Sequence, residues 1–370
     1  MTASSGGLLL IADITGYTVF LQDSELEHAR ETLTALLEIL VDGTRPPLTI
    51  SRLEGDAVFS YGIEEFGLRG QTVLEMIESL YVAFRRAIDM MMLNTMCACN
   101  ACANIGNLDL KFFVHHGVFL TQDVGRYRDL VGSDVNLVHR LTKNTVTKTT
   151  GIAAYVLYTE AAIEAAGLEP LAGDWATHVE TYEDVGTVAC RIQDLHPVWL
   201  AAADRQVVTL EDDVFVDMSV DIAAPREVVW DRLADPIYRS VLFNSERQEI
   251  EGTVGGRTDA DSTFVCYHGG MMDRLGAGRH VIVEWRPFER VVFREGIPLP
   301  GPPLHELQSF EFEDIENGTR LRRKCGNMTG PALGRLLARM MVPALRSQMA
   351  TGMERFRVEV ENSLEPPARL

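Results

Sequence analysis

The 370-residue sequence is poor in three things, and each shortage excludes something. Six cysteines are too few for a disulfide scaffold in a chain this long, so a reducing compartment, the cytoplasm, is expected. Basic residues are scarce: 34 Lys and Arg stand against 53 Asp and Glu, a formal charge of −19. That field repels polyanions and argues against nucleic acid as a partner. Long apolar runs are missing. Leu8-Leu9-Leu10-Ile11 is too short for a signal core or a membrane span and reads as a buried strand. The N-terminus lacks the basic, long apolar and small-residue pattern of a secretion signal, so the expectation is a protein with no membrane span. What is present, 46% hydrophobic and 24% charged residues, is ordinary for a folded protein, and the length favours two domains.

The first half alternates strand-like and helix-like blocks. The pattern predicts a strand over 8–14, a turn at Thr15-Gly16-Tyr17, a helix over 25–41 and a hairpin over 48–61 about Glu54-Gly55. A long helix over 70–93 carries Val73, Met76, Ile77, Leu80, Phe84 and Ile88 at helical spacing. Strand patterns at 108–120 and 152–158, helices at 133–144 and 159–166, and an alternating stretch over 178–192 follow. This alternation predicts an α+β sandwich, a sheet covered by helices on one face, spanning residues 1–196.

A break is expected over 196–212, with Pro197, an alanine run and Glu211-Asp212-Asp213. A second domain over 213–363 then reads differently: a strand at 214–222, a helix opening at Ala224-Pro225-Arg226-Glu227, and six alternating strands between 247 and 327. A long helix over 331–362 closes it. Its apolar stripe is Leu333, Leu336, Leu337, Met340, Met341, Leu345, Met349, Met353, Phe356 and Val360, with a kink expected at Pro343.

Three frames carry the chemistry. They are Ile11-Ala12-Asp13-Ile14-Thr15-Gly16-Tyr17-Thr18, then Arg52-Leu53-Glu54-Gly55-Asp56-Ala57-Val58-Phe59, then the stretch from Asp129 through Asn136 to Arg140. Two carboxylates that converge can hold two divalent cations, and Asn136 and Arg140, four apart, share one helix face. An anionic substrate needs locally basic ground in so acidic a chain, and Arg52, Arg126, Arg128, Arg140, Lys143 and Lys148 are the candidates. The backbone amides from Ile14 to Thr18 approach a helix N-terminus and are candidates for phosphate oxygens.

In this order the three frames resemble the catalytic domain of class III nucleotidyl cyclases, whose fold is a ferredoxin-like α+β sandwich. The resemblance implies that Asp13, Ile14 and Asp56 hold two Mg2+ or Mn2+ ions per site. One would activate a ribose 3′-hydroxyl for attack on the α-phosphate, and the other would neutralise the triphosphate. It implies that Asn136 orients the ribose and Arg140 offsets charge in the transition state, with Thr15, Gly16, Tyr17 and Thr18 at the substrate. It places Arg52 and Asp129 at the base edge. The substrate is then a nucleoside triphosphate, ATP being favoured because Arg52 and Asp129 keep the donor and acceptor signs of adenylyl cyclases. Arg52 departs from the usual Lys, which leaves a relaxed or pyrimidine preference open. The stretch 178–192 holds no lysine for the triphosphate, so Arg126, Arg128 and Lys143 stand in as candidates. One such domain per chain implies a head-to-tail homodimer with two shared sites.

The second half resembles the START-like helix-grip fold, also called SRPBCC, in its element order and in the opening Ala224-Pro225-Arg226-Glu227-Val228-Val229-Trp230. That resemblance implies a cavity between sheet and long helix that takes a small apolar ligand, lined by Phe264, Met271, Met272 and Met341. Nothing there has catalytic spacing. Cys97, Cys99 and Cys102 read as a reduced, partly buried thiol cluster, with a Zn2+ site completed by His115 or His116 as the alternative; both histidines otherwise read as packing residues. The rival functions are a degenerate cyclase domain that only binds nucleotide, and a lipid-like ligand carrier on a dimerising scaffold.

Overall fold

In the computed structural model, residues 4–22, 25–44, 46–63, 67–94, 99–124, 127–205, 207–210, 214–269, 277–297 and 304–364 are described. The chain divides into two units, Met1–Asp204 and Arg205–Leu370.

In the first unit, strand β1 (Ser5–Thr15) lies inside the sheet, beside its middle strand. It pairs antiparallel with β3 (Ala57–Ile63) on one side and β4 (Asp109–Val124) on the other. β2 (Thr49–Glu54) lies outside β3; β6 (Tyr155–Thr159), β8 (Gly186–Asp194) and β7 (Ala176–Tyr182) continue beyond β4. The unbroken run Leu8-Leu9-Leu10-Ile11 has a simple cause: both faces of β1 are buried. Leu10, Ala12 and Ile14 pack with Leu36 and Leu40 of helix α2 (Leu26–Thr44) and with Ile77, Tyr81 and Phe84 of α3 (Gly70–Asn94). Leu9 and Ile11 turn the other way, onto Val138 and Leu141 of a further helix, Ser133–Leu141.

That second covered face is a difference from the one-sided sandwich expected. The helix needs close approach to β4. A Cβ on Gly117 would sit 2.4 Å from the Cβ of Asp134, and Asp134 Oδ2 accepts the Val118 N–H at 2.6 Å. A second difference is that β4 runs past the sheet and folds back on β5 (Tyr127–Val131) as a ribbon. The ribbon residues Thr121, Gln122 and Asp123 give no apolar alternation, so the strand signal stops early. A third difference lies in the expected break. His196–Ala203 forms a helix, with Pro197 in its first turn and Ala201, Ala202 and Ala203 as strong helix formers.

The second unit is one antiparallel sheet of seven strands, order β10-β11-β12-β13-β14-β15-β9. The strands are β9 (Val216–Ile222), β10 (Arg247–Glu251), β11 (Thr263–Tyr267), β12 (Gly278–Arg286), β13 (Arg290–Ile297), β14 (Leu304–Ile315) and β15 (Gly318–Thr329). Two short helices, Arg226–Ala234 and Pro236–Leu242, follow β9, and Ala332–Asn362 is the long C-terminal helix. Trp230 anchors the first of these among Trp285, Phe288 and Phe312. The long helix uses only part of its apolar stripe: Met353, Phe356 and Val360 are buried, whereas Leu333, Leu336 and Met340 are exposed. Among the described residues no helix is long and apolar enough to cross a membrane.

Candidate functional site

Asp13 occupies the penultimate-but-one position of β1, and Asp56 follows Gly55 in the turn from β2 to β3. The Ile14 N–H donates to the Asp56 carbonyl at 3.1 Å, which ties the two frames together. Burial, and then the charge of Asp56, push the Asp13 carboxyl from its ordinary 3.8 up to about 6. Burial raises Asp56 as well. Two carboxyls crowded and desolvated in this way are short of positive charge, which is the condition a hard divalent cation relieves. Asp13, Asp56 and the adjoining Ile14 therefore fit magnesium or manganese.

One cation close by escaped the sequence reading. Lys111 is the direct cross-strand partner of Asp13, and its Nζ lies 5.2 Å from the centre of the Tyr155 ring. Burial lowers its pKa, against the pull of Asp13 and then Asp109. The signal lay in strand register, which a sequence without a pairing partner does not display.

Arg52 and Asp129, 77 residues apart, meet as an ion pair, and Arg52 also bonds Glu54. His139 completes the group. Its Nε2 faces Arg52 Nη2 at 3.2 Å, its Nδ1 faces Glu54 Oε2 at 3.3 Å, and its ring stacks edge-on against Phe59. Burial lowers the His139 pKa, with Glu54 opposing. Glu54 and His139 both lie within the motif frames, where neither carries a role by resemblance; their place beside Arg52 shows only in the fold.

The helix Ser133–Leu141 buries Val135, Leu137, Val138 and Leu141. The same spacing leaves Asn136 and Arg140 exposed together. Arg140 Nη2 donates to Asp184 Oδ2 at 2.7 Å, an exposed pair that contributes little and exchanges readily. In one chain, then, three groups form: Asp13 with Asp56 and Lys111, Arg52 with Asp129, Glu54 and His139, and an outward Asn136 and Arg140.

Two expectations for phosphate binding change. The Ile14 amide is spent on Asp56, so the remaining candidates are the backbone at Thr15, at Gly16 with φ +89°, and at Tyr17 and Thr18, where a six-residue helix, Tyr17–Gln22, begins. Of the basic candidates, Lys143 and Lys148 are exposed. Arg126 and the Arg128 side chain lie outside the described residues. A cavity of about 350 Å3, lined by Leu8, Leu48, Val73 and His116 among others, shares no residue with these groups.

The cysteine cluster is rearranged from expectation. Cys97 lies outside the described residues. Cys99 caps the short helix Asn100–Asn104, and its partner is His28 of α2, whose Nδ1 is 3.2 Å from Cys99 Sγ. His115 is elsewhere: buried, 2.9 Å from Thr159 Oγ1 and 3.5 Å from Asp134. His116 lines the cavity above. Strand alternation sends these two histidines to opposite faces of β4, and neither reaches the thiols.

In the second unit, the interior expected to be apolar is ionic at its centre. Arg239 is fully buried, and its guanidinium lies 4.1–4.3 Å from the centres of Phe293, Phe264 and Phe243. Nη2 meets His280 Nδ1 at 3.0 Å, and His280 Nε2 meets Glu295 at 3.2 Å. A neutral imidazole with its proton on Nε2 satisfies both contacts. Nε and Nη1 of Arg239 find no hydrogen-bond partner among the described residues. Burial lowers Arg239 to about 9, and burial together with Glu295 pushes Glu306 up to about 7. Of the expected lining, Phe264 packs against Arg239, while Met271, Met272 and the Met341 side chain lie outside the described residues.

Comparison with known proteins follows the same division. Residues 214–361 match the family described as "Polyketide cyclase / dehydrase and lipid transport", the SRPBCC class, so nearly all of the second unit has that fold. Residues 33–150 match a family described as "Protein of unknown function (DUF2652)". Over 114 residues the chain is 32% identical to an uncharacterized protein of Mycobacterium tuberculosis, 31% of this chain and 52% of that one. The chain thus spans about half the length of that curated relative. Among solved structures, a guanylyl cyclase, Cya2, aligns with 52% of this chain and 92% of its own at 14% identity and a TM-score of 0.39. The adenylyl cyclase CyaB from P. aeruginosa aligns with 52% and 96% at 14% identity and a TM-score of 0.40.

Proposed function

We propose that the first unit is a nucleotidyl cyclase that converts a nucleoside triphosphate, with ATP preferred, to a 3′,5′-cyclic nucleotide and pyrophosphate. The observation that carries this reading is the crowding of Asp13 and Asp56, two desolvated carboxyls whose backbones are tied by the Ile14 N–H donating to the Asp56 carbonyl. Magnesium or manganese held there would supply Lewis-acid activation of the ribose hydroxyl and charge neutralisation on the triphosphate. In the reaction the 3′-oxygen bonds to the α-phosphorus, the bond to the β-phosphate bridging oxygen breaks, and the hydroxyl proton passes to solvent as pyrophosphate leaves.

The remaining residues have binding roles. Arg140 gives up Asp184 and donates to the α-phosphoryl oxygens, and Asn136 on the same exposed face orients the ribose. Asp129 accepts from the base amino group while Arg52 donates to the base edge. A cyclase of relaxed base preference is the second reading, favoured by the hold that Glu54, Asp129 and His139 together have on Arg52. Because Asn136 and Arg140 face outward, the complete site is shared between two copies in a homodimer.

Mixing variants tests this arrangement. Asp56→Ala and Arg140→Ala are each expected to be inactive. An equal mixture that assorts at random makes half its dimers mixed, each with one of two sites intact, so about a quarter of wild-type activity returns. A mixture that exchanges subunits yet stays inactive would refute the shared site. A wild-type protein that binds triphosphate with manganese but forms no cyclic product would leave only nucleotide binding.

A further inference from the structure

The first unit holds a second cluster of metal-ligating side chains, remote in sequence from the two aspartates and chemically unlike them. We propose that His28, Cys99 and Cys102 form a zinc site that fastens helix α2 to the segment leading into β4. The three ligand atoms lie within 4.8 Å of one another. His28 comes from α2 and the two thiols from the turn and helix at 99–104, with 71 residues between His28 and Cys99. Zinc with Zn–S near 2.3 Å and Zn–N near 2.0–2.1 Å places neighbouring tetrahedral N and S ligands roughly 3.5 Å apart and two S ligands roughly 3.8 Å apart. The 3.2 Å between His28 Nδ1 and Cys99 Sγ is a few tenths of an ångström short of the N–S edge, a gap that side-chain rotation opens. Cys102 Sγ, within 4.8 Å of the other two ligand atoms, would supply the third corner, and water would take the fourth.

Local structure prepares the thiols. Cys99 Sγ accepts the Cys102 N–H at 3.4 Å as the cap of the helix Asn100–Asn104. Glu25 Oε2 accepts the Ala101 N–H at 3.3 Å, which holds the same turn against the start of α2. Neither Cys99 nor Cys102 is in a disulfide. Two soft sulfurs and an imidazole select zinc, whereas the oxygen-only pair Asp13 and Asp56 suits magnesium or manganese. The inference does not depend on cyclase activity.

The consequence is mechanical. The segment after Asn104 passes through Asn107, whose carbonyl lies against the turn at Gly16: a Cβ there would be 3.1 Å from it. A cation binding α2 to this segment steadies that turn.

The test uses the full chain, reduced and supplied with zinc, then dialysed and assayed for bound metal, with Co2+ as a spectroscopic probe. The expected result is about one zinc per chain, and a thiolate-to-cobalt charge-transfer band in the near ultraviolet. Cys99→Ser keeps an oxygen cap for the helix and His28→Ala alters an exposed side chain, so both fold. Each is expected to lose at least about tenfold in zinc affinity. Asp13→Ala should keep the band. The proposal is overturned if wild type takes up no zinc, if cobalt gives no thiolate band, if His28→Ala binds as wild type does, or if peptide mapping finds a Cys99–Cys102 disulfide in the protein as isolated.

Discussion

Asp13→Asn should destroy turnover and, in metal-free protein near neutral pH, raise stability. Asn matches the carboxylate in shape and removes its charge. The carboxyl sits at about 6 in the folded protein against an ordinary 3.8. For an acid with a raised folded pKa, the penalty is absent below about pH 4, grows between pH 4 and 6, and is complete above pH 6. At about 1.4 kcal/mol per pH unit the upper limit is about 3 kcal/mol. Water reaching a partly buried group lowers this to about 1–2 kcal/mol. The attraction of Lys111 is already included, as the smallest of the three influences on Asp13. For a unit of this size the gain corresponds to about 2–8 °C in melting temperature. The assay is thermal unfolding followed by circular dichroism from pH 4 to pH 8, with and without manganese. Wild type and variant should converge at pH 4 and separate above pH 6. Manganese should stabilise wild type and leave the variant unmoved. A variant that melts below wild type at pH 7.5, or whose advantage is the same at every pH, would refute the electrostatic reasoning and with it the cation site.

Arg52→Lys should sharpen the preference for ATP over the other triphosphates, because a point charge replaces a broad fork; an unchanged ratio in competition assays would place Arg52 outside the base pocket. Arg239→Ala should cost the second unit about 3–5 kcal/mol, since it opens a cavity among three rings and leaves His280 Nδ1 without its donor, with Arg323 the remaining cation acting on Glu295. A loss below about 1 kcal/mol in denaturant titration would show that the unpaired Nε and Nη1 already cancel the benefit.

Much of the element order is legible in the sequence, because period-2 and helical patterns survive wherever one face of an element is buried. The hairpin about Gly55, the 25-residue helix Gly70–Asn94 and the seven strands of the second unit are of this kind. The motif frames put Arg52 and Asp129 at one base edge, and that the two meet as an ion pair shows only in the fold. Properties of pairing and of interior electrostatics are likewise not legible in the sequence. Lys111 enters only through the register of β1 and β4, and His28 reaches Cys99 only through the fold. In the β4–β5 ribbon the polar run Thr121-Gln122-Asp123 hides the continuation of β4. In the second unit apolar alternation correctly placed β11, β12 and β13, yet the polar positions between the apolar ones, His280 and Glu295, supply an ionic centre that alternation alone reads as solvent-facing.

The second unit's sheet joins its first strand to its last: among the described residues β9 pairs with β15 alone, and Asp221 bonds Arg320 from 99 residues further on. During synthesis at about 5–20 residues per second, β9 therefore waits roughly 5–20 s for its partner to be made. Throughout that interval it is an open edge, the sort of strand that joins the wrong neighbour. Its outward residues Asp217, Ser219 and Asp221 put two negative charges on the waiting edge. Arg322 and Arg320 of β15 then meet those carboxylates with two hydrogen bonds each. The same aspartates thus repel other copies of the nascent strand and later register the correct one. Replacing both by Asn would leave the finished sheet nearly as stable while lowering the fraction of newly made chains that reach it.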